Sequence, residues 1–214
     1  MKPVIGITMG DAAGVGPEII VKALQNRSIY EQCNPLVIGD AKILERAVQI
    51  TNSKLAIHPI SSVKEAACQY GTIDCIDLNL LPADLPFGRV SAAAGDAAFQ
   101  FLKRAIELAK NGDIQAICTA PLNKEALHKG GHQYPGHTEI LADLTGTQDY
   151  AMMLSSPKLK VIHITTHVGL IKAIEMINPD RTYKVIKLAH ETLTRAGKEN
   201  PSIAVCGINP HAGE

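Results

Sequence analysis

The 214-residue sequence predicts an α/β fold built on a mostly parallel sheet. Three observations lead there. Short β-branched runs alternate along the chain with longer amphipathic segments. Several of the short runs are apolar enough to be covered on both faces, as parallel strands are. Polar turns marked by glycine, proline or asparagine follow the strand ends, where α/β enzymes keep their ligand chemistry.

The elements follow in order. Residues 4–9 form a strand, and the glycine-rich turn 10–16 comes next. Pro17 sits where a first helical turn tolerates proline, and Ile19 and Leu24 supply an apolar helical face. Residues 36–38 read as a strand, then Gly39-Asp40 leads to a helix over 41–48. Residues 54–60 and 72–78 are short strands, and 79–90, with Pro82 and Pro86, are a loop. The clearest helix is 91–110, opened by Ser91 or Gly95 and stopped by Asn111-Gly112. Residues 114–119 read as a buried strand, with helices near 123–129 and from Thr138 onward. Strands at 150–154 and 160–165, helices at 168–177 and 180–197, and a final strand at 202–208 complete the pattern. That last strand runs into Asn209-Pro210-His211-Ala212-Gly213-Glu214, which reads either as a site-bearing loop of a larger enzyme or as a frayed terminus.

Composition narrows the function classes. Basic and acidic side chains balance at 21 each, so no broad field favours nucleic acid or an anionic membrane. Aromatics are 4% with no Trp, too few for a base-stacking platform. The five cysteines form no CxxC, and Cys118 and Cys206 lie in apolar runs, which makes them core residues in a cytoplasmic setting. The N-terminus lacks a signal-peptide pattern, and no apolar run approaches the roughly 18 residues of a membrane span.

Four clusters can carry chemistry. Asp11, Gly14 and Gly16 lie in a loop that lets backbone approach a ligand before a helix start, although it matches neither dinucleotide nor P-loop spacing; a plain turn is the alternative. Lys124 follows a strand end in Thr-Ala-Pro-Leu-Asn-Lys. In a helix's first turn its charge opposes the dipole, which favours an anionic partner over a solvated surface lysine. His137 and Thr138, in Pro-Gly-His-Thr-Glu, offer an imidazole and a capping hydroxyl at a helix start, either an anion cradle or an ordinary cap. His163 reads as core. His167, at a strand end, and His211 would meet on neighbouring parallel strands, a pair suited to a divalent metal but short of a complete site.

In this order, Gly-Asp-Ala-Ala-Gly-Val-Gly-Pro-Glu, Thr-Ala-Pro-Leu-Asn-Lys, Pro-Gly-His-Thr-Glu, Thr-Thr-His and Asn-Pro-His-Ala-Gly-Glu resemble the PdxA family of 4-hydroxythreonine-4-phosphate dehydrogenases. The resemblance covers the whole chain. It implies an isocitrate/isopropylmalate dehydrogenase-like α/β/α fold of two lobes with a cleft between them, incomplete here at the C-terminus. The first lobe would span 1–142 and be completed by a later segment, with 143–214 a partial second lobe. It further implies a cytoplasmic homodimeric oxidoreductase that acts with NAD (or NADP) and a divalent metal (Zn, Mg, Mn or Co). Such an enzyme oxidises a phosphorylated four-carbon hydroxy acid, and decarboxylation follows. His167 and His211 match two of the three metal-ligand histidines, and His137 and Thr138 match substrate-binding residues. No residue is assigned as general base. His167-Val168-Gly169-Leu170 and the Lys124 motif are closer to the 4-phospho-D-threonate/4-phospho-D-erythronate branch than to the pyridoxine-biosynthesis branch. A non-enzymatic phosphometabolite-binding module and a phosphate acyltransferase are the alternative functions.

Overall fold

Five strands form one parallel sheet in the order β3-β4-β2-β1-β5. They are β1 (Val4–Thr8), β2 (Asn34–Gly39), β3 (Ala56–Ile60), β4 (Thr72–Asp77) and β5 (Ala116–Thr119). Ile7 lies opposite Val37 on one side and Cys118 on the other. Parallel pairing forbids tight hairpins, so each connection must cross over. The crossings use α1 (Gly16–Leu24), α2 (Arg27–Gln32), α3 (Ala41–Ile50) and α4 (Ala92–Lys110), and α5 (Lys124–Lys129) and α6 (His137–Thr145) follow β5. The computed structural model describes residues 2–211. It divides into two compact units, one ending at Thr145 and one beginning at Gly146.

The helix boundaries have local causes. Pro17 occupies the first turn of α1. Ser91 Oγ accepts from the Ala94 N–H at 3.3 Å, which starts α4 at Ser91 and leaves Gly95 inside it. Asn123 Oδ1 accepts from the Ala126 N–H at 2.9 Å and starts α5. The short α2 is not among the predicted helices; its signal is Asn26, whose side chain accepts from Ser28 N.

The main core packs Met9, Leu36, Val37, Ile38, Leu44 and Phe101, all fully buried, between sheet and helices. A second cluster of Leu102, Ile106, Leu127 and Ile140 holds α5 and α6 against α4. The predicted loop 79–90 is a tethered strap. Lys42 Nζ donates to Leu81 O at 2.6 Å, Arg46 Nη1 to Leu85 O at 2.8 Å, and Leu81 N to the buried Asp40 Oδ2 at 2.9 Å.

Several expectations are corrected. β5 is an edge strand with Ala116, Cys118 and Thr119 exposed, not a buried one, because among the described residues only β1 pairs with it. Cys118 and Cys206 are both exposed rather than core. In the second unit β6 (Met153–Ser155) and β7 (Lys160–Ile162) are an antiparallel pair, shorter than predicted and not part of a parallel sheet. α7 (Leu170–Met176) and α8 (Pro179–Arg195) follow. Arg181 ties α8 back to that pair, donating from Nε to Ile164 O and from Nη2 to Tyr150 O. Residues 201–207 form no strand: their apolar run finds no ladder partner among the described residues. The last three residues of the terminal motif, Ala212 to Glu214, lie outside the described residues.

A test of the α4–α5 packing comes from Gly95. A Cβ there would sit 1.9 Å from Ala126 O, on backbone that cannot rotate away. Gly95→Ala is therefore expected to destabilise the chain by about 3 kcal/mol in urea unfolding, as overpacking does. An unchanged midpoint would show that the contact yields freely.

Candidate functional site

All five parallel strands end on one edge, so the loops after β1, β2 and β5 gather there. The order reverses at β1: the chain goes to β2 on one side and returns to β5 on the other. Loops after two such strands diverge to opposite faces, which makes this the favoured ligand position of an open α/β sheet.

The loop after β1 packs closely on the loop after β5. Asp11 N donates to Pro121 O at 2.9 Å. Gly10 has φ +68°, and a Cβ on it would lie 2.3 Å from Pro121 O. A Cβ on Gly16 would lie 2.3 Å from Met9 O. Packing alone thus accounts for these two glycines. Gly14 is looser, its nearest neighbour being Asp11 O at 3.4 Å. Asp11 is buried; its Oδ1 accepts from Ala13 N and its carbonyl from Gly14 N, a closed turn. Burial raises the Asp11 carboxyl pKa, and the Ala13 N–H opposes that rise.

Lys124 is the first residue of α5 and is exposed, with its ammonium in no ion pair among the described residues. Glu125, beside it, pairs with Lys129 at 2.9 Å. α6 opens at His137, so Thr138 lies inside the first turn rather than capping it. Both are half-buried. Burial lowers the His137 pKa, so the neutral imidazole dominates near pH 7. A neutral ring still donates one hydrogen bond, and the first-turn N–H groups of α6 favour an anion.

In the second unit, His167 lies five residues beyond β7, exposed and at φ +55°. His163 is half-buried, with its N–H donating to Met152 O at 3.0 Å. His211 is exposed in a turn, its N–H donating to Asn209 Oδ1 at 3.2 Å. The expected neighbouring parallel strands are absent among the described residues, so His167 and His211 are carried on irregular backbone. Neither ring is hydrogen-bonded among the described residues, which leaves both free to act as donors to a divalent ion. Among those residues no group of three or more His, Cys, Asp or Glu side chains could hold a metal. Two imidazoles fit such an ion chemically but need further ligands to complete a site.

An open depression of about 400 Å³ lies elsewhere, lined by Gln25, Asn52, Lys54 and Tyr70 at the amino-terminal edge of the sheet. Strand-end loops with ligand chemistry do not reach that edge. No helix among the described residues is long and apolar enough to cross a membrane.

Comparison with known proteins agrees with the motif order. The family described as "Pyridoxal phosphate biosynthetic protein PdxA" matches residues 31–214. A D-threonate 4-phosphate dehydrogenase of Cupriavidus necator is 59% identical over 212 residues, 99% of this chain and 64% of that protein. The crystal structure of a 4-hydroxythreonine-4-phosphate dehydrogenase from Burkholderia phymatum superposes with a TM-score of 0.91 at 62% identity, covering 100% of this chain and 64% of that one. The corresponding enzyme from Klebsiella pneumoniae gives 0.92 at 47% identity, over 100% of this chain and 65% of that one. The chain spans 64% of the length of the curated relatives it matches. Sequence, fold and motif order agree, and the chain belongs to the PdxA family.

Proposed function

We propose that the protein is an NAD-dependent, divalent-metal-dependent dehydrogenase that oxidises the secondary alcohol of a phosphorylated four-carbon hydroxy acid, after which the resulting β-keto acid loses CO2. The observation that carries this reading is the first turn of α6. A half-buried, neutral imidazole and a hydroxyl stand there among helix N–H groups, in a chain of PdxA sequence. His137 and Thr138 bind the phosphorylated substrate, and Lys124 adds a positive charge. His167 and His211 are two metal ligands. A divalent ion held there would supply Lewis acidity toward the alcohol, and bound NAD would serve as the hydride acceptor. The loop of Asp11, Gly14 and Gly16 contributes to the cofactor side. The 59% identity to a D-threonate 4-phosphate dehydrogenase of Cupriavidus necator supports 4-phospho-D-threonate as the substrate.

The same reading gives an isocitrate/isopropylmalate dehydrogenase-like fold, with a first lobe of residues 1–142 and a second beginning at 143. The exposed edge of β5 supports a first lobe that takes on further chain, of the kind the longer relatives possess. Leu170 and Ile171, 78% and 77% exposed on α7, support a homodimer. Five free cysteines support a reducing, cytoplasmic setting.

Steady-state assays of the full-length protein with 4-phospho-D-threonate, 4-phospho-D-erythronate and 4-phosphohydroxy-L-threonine are expected to yield NADH with at least one. Absence of NADH with all three, in Zn²⁺, Mg²⁺ or Mn²⁺, overturns the proposal. His167→Ala and His211→Ala are each expected to lower both bound metal, read by elemental analysis, and turnover by about 100-fold or more while leaving the fold intact. Full metal content in either variant removes that residue from the ligand set.

The lowered His137 pKa makes a separate prediction. In ring-nitrogen NMR of the free protein, His137 should titrate below its ordinary value of 6.5. The unfolded chain therefore binds this proton more readily, and stability rises with pH between the folded pKa and 6.5. A bound phosphate dianion favours imidazolium and should move the midpoint upward. A midpoint unmoved by saturating substrate would place His137 away from the anion.

A further inference from the structure

The loop 130–136, which delivers the chain into α6, is held by side chains whose purpose the proposed chemistry does not explain. His132 Nε2 lies 2.8 Å from Asp96 Oδ1 on α4, and the imidazole is largely buried at 19% exposed. Its ring stacks on Phe99, also on α4, at 3.8 Å between centroids and 11° between planes. Tyr134 lies nearly parallel to the same Phe99 at 6.0 Å. Its hydroxyl donates to Asp143 Oδ2 on α6 at 2.5 Å, and its carbonyl lies 3.0 Å from His128 Nε2. Backbone approach is equally close, since a Cβ on Gly130 would meet Asp96 N at 2.6 Å.

These contacts form two ties. The first fixes the loop to α4 through His132. The second fixes the loop to α6 itself through Tyr134 and Asp143. His137 and Thr138 follow within a few residues, too short a span of chain to absorb a loop displacement. Neither His132 nor Asp96 is part of the first turn of α6. The Asp96 carboxyl has its pKa lowered chiefly by the His132 hydrogen bond, with Gln100 adding a weaker one at 3.2 Å. The anion is therefore the form that the tie prefers.

We propose that His132, clamped between the Asp96 carboxylate and the Phe99 ring, is a positioning residue that sets the orientation of His137 and Thr138 toward the substrate's anionic group. The inference rests on the substrate-binding role proposed for that turn. His132 does not touch substrate; it fixes the path by which the chain enters α6. A ligand cradle misplaced by a fraction of an ångström loses binding without losing its groups.

Two readouts test this in the full-length protein. His132→Ala is expected to raise KM for 4-phospho-D-threonate about tenfold while kcat changes less than about twofold, the mark of lost ground-state and transition-state binding together. His132→Gln keeps a donor toward Asp96 and should recover part of that loss; His132→Phe keeps the ring but no donor and should recover less. The second readout needs no turnover. In His132→Ala the His137 ring signals should shift or broaden, while those of His167 and His211 stay in place. Unchanged His137 signals in a folded His132→Ala protein overturn the positioning role, as does a lowered melting temperature with KM unchanged. If the unaltered protein turns over none of the phosphorylated acids, the substrate reading has failed, and the His137 signals alone still decide whether His132 holds the turn.

Discussion

One backbone hydrogen bond, from Asp11 N to Pro121 O, joins the two loops that flank the reversal of strand order. Much of the ligand edge depends on that contact. It requires the turn after β1 to lie against the turn after β5 with no side chain between them, which excludes a Cβ at position 10. α1 and α5 both leave the sheet from that edge, because the strands before them, β1 and β5, run parallel. Gly88 N donates to Ala13 O at 2.8 Å and ties the strap 79–90 to the same turn. The loops after three different strands thus become one surface.

Buried carboxylates hold further contacts between loops and sheet in the first unit. Asp40 is fully buried, and one of its oxygens accepts from Leu81 N. It does not cap α3; Asp77 Oδ1, from the neighbouring strand, accepts from Ala41 N instead. Asp74 is 1% exposed and uses both oxygens, one toward His58 Nδ1 at 2.7 Å and one accepting from Cys68 N at 2.7 Å. A buried carboxylate without partners costs several kcal/mol, so each fixes a loop to the sheet in exchange for its own solvation. Loss of either acid by substitution would release a loop as well as a charge.

What could be read from sequence divides along the same physical line. Local signals located most elements of the first unit, though not the short α2: Ser91 with Asn111-Gly112 bounds α4, Pro17 opens α1, and Pro-Gly-His-Thr-Glu sits at the start of α6. Burial and pairing are not local. An apolar run at 114–119 reads the same whether one strand or two lie beside it, so the exposure of Cys118 was invisible. The run at 202–208 failed for the same reason: β-branched residues form a strand only where a partner offers its backbone. The motif residues were legible by type and order. The tie of His132 to Asp96 was not, because 36 residues separate them and neither belongs to a recognisable pattern.

The pairing of β1 with β5 carries a consequence for biosynthesis. Val4 N reaches the Gln115 side chain across 111 residues of sequence, so one flank of the first strand cannot be closed until the fifth has been made. At roughly 5–20 residues per second, a ribosome leaves that flank open for about 5–20 s. Once β2 has been made, Val4, Ile5 and Ile7 have a strand partner on that side while the β5 side stays bare. The nascent chain is most vulnerable to mispairing with another copy of itself then, which makes translation speed and chaperone access part of how this sheet is obtained.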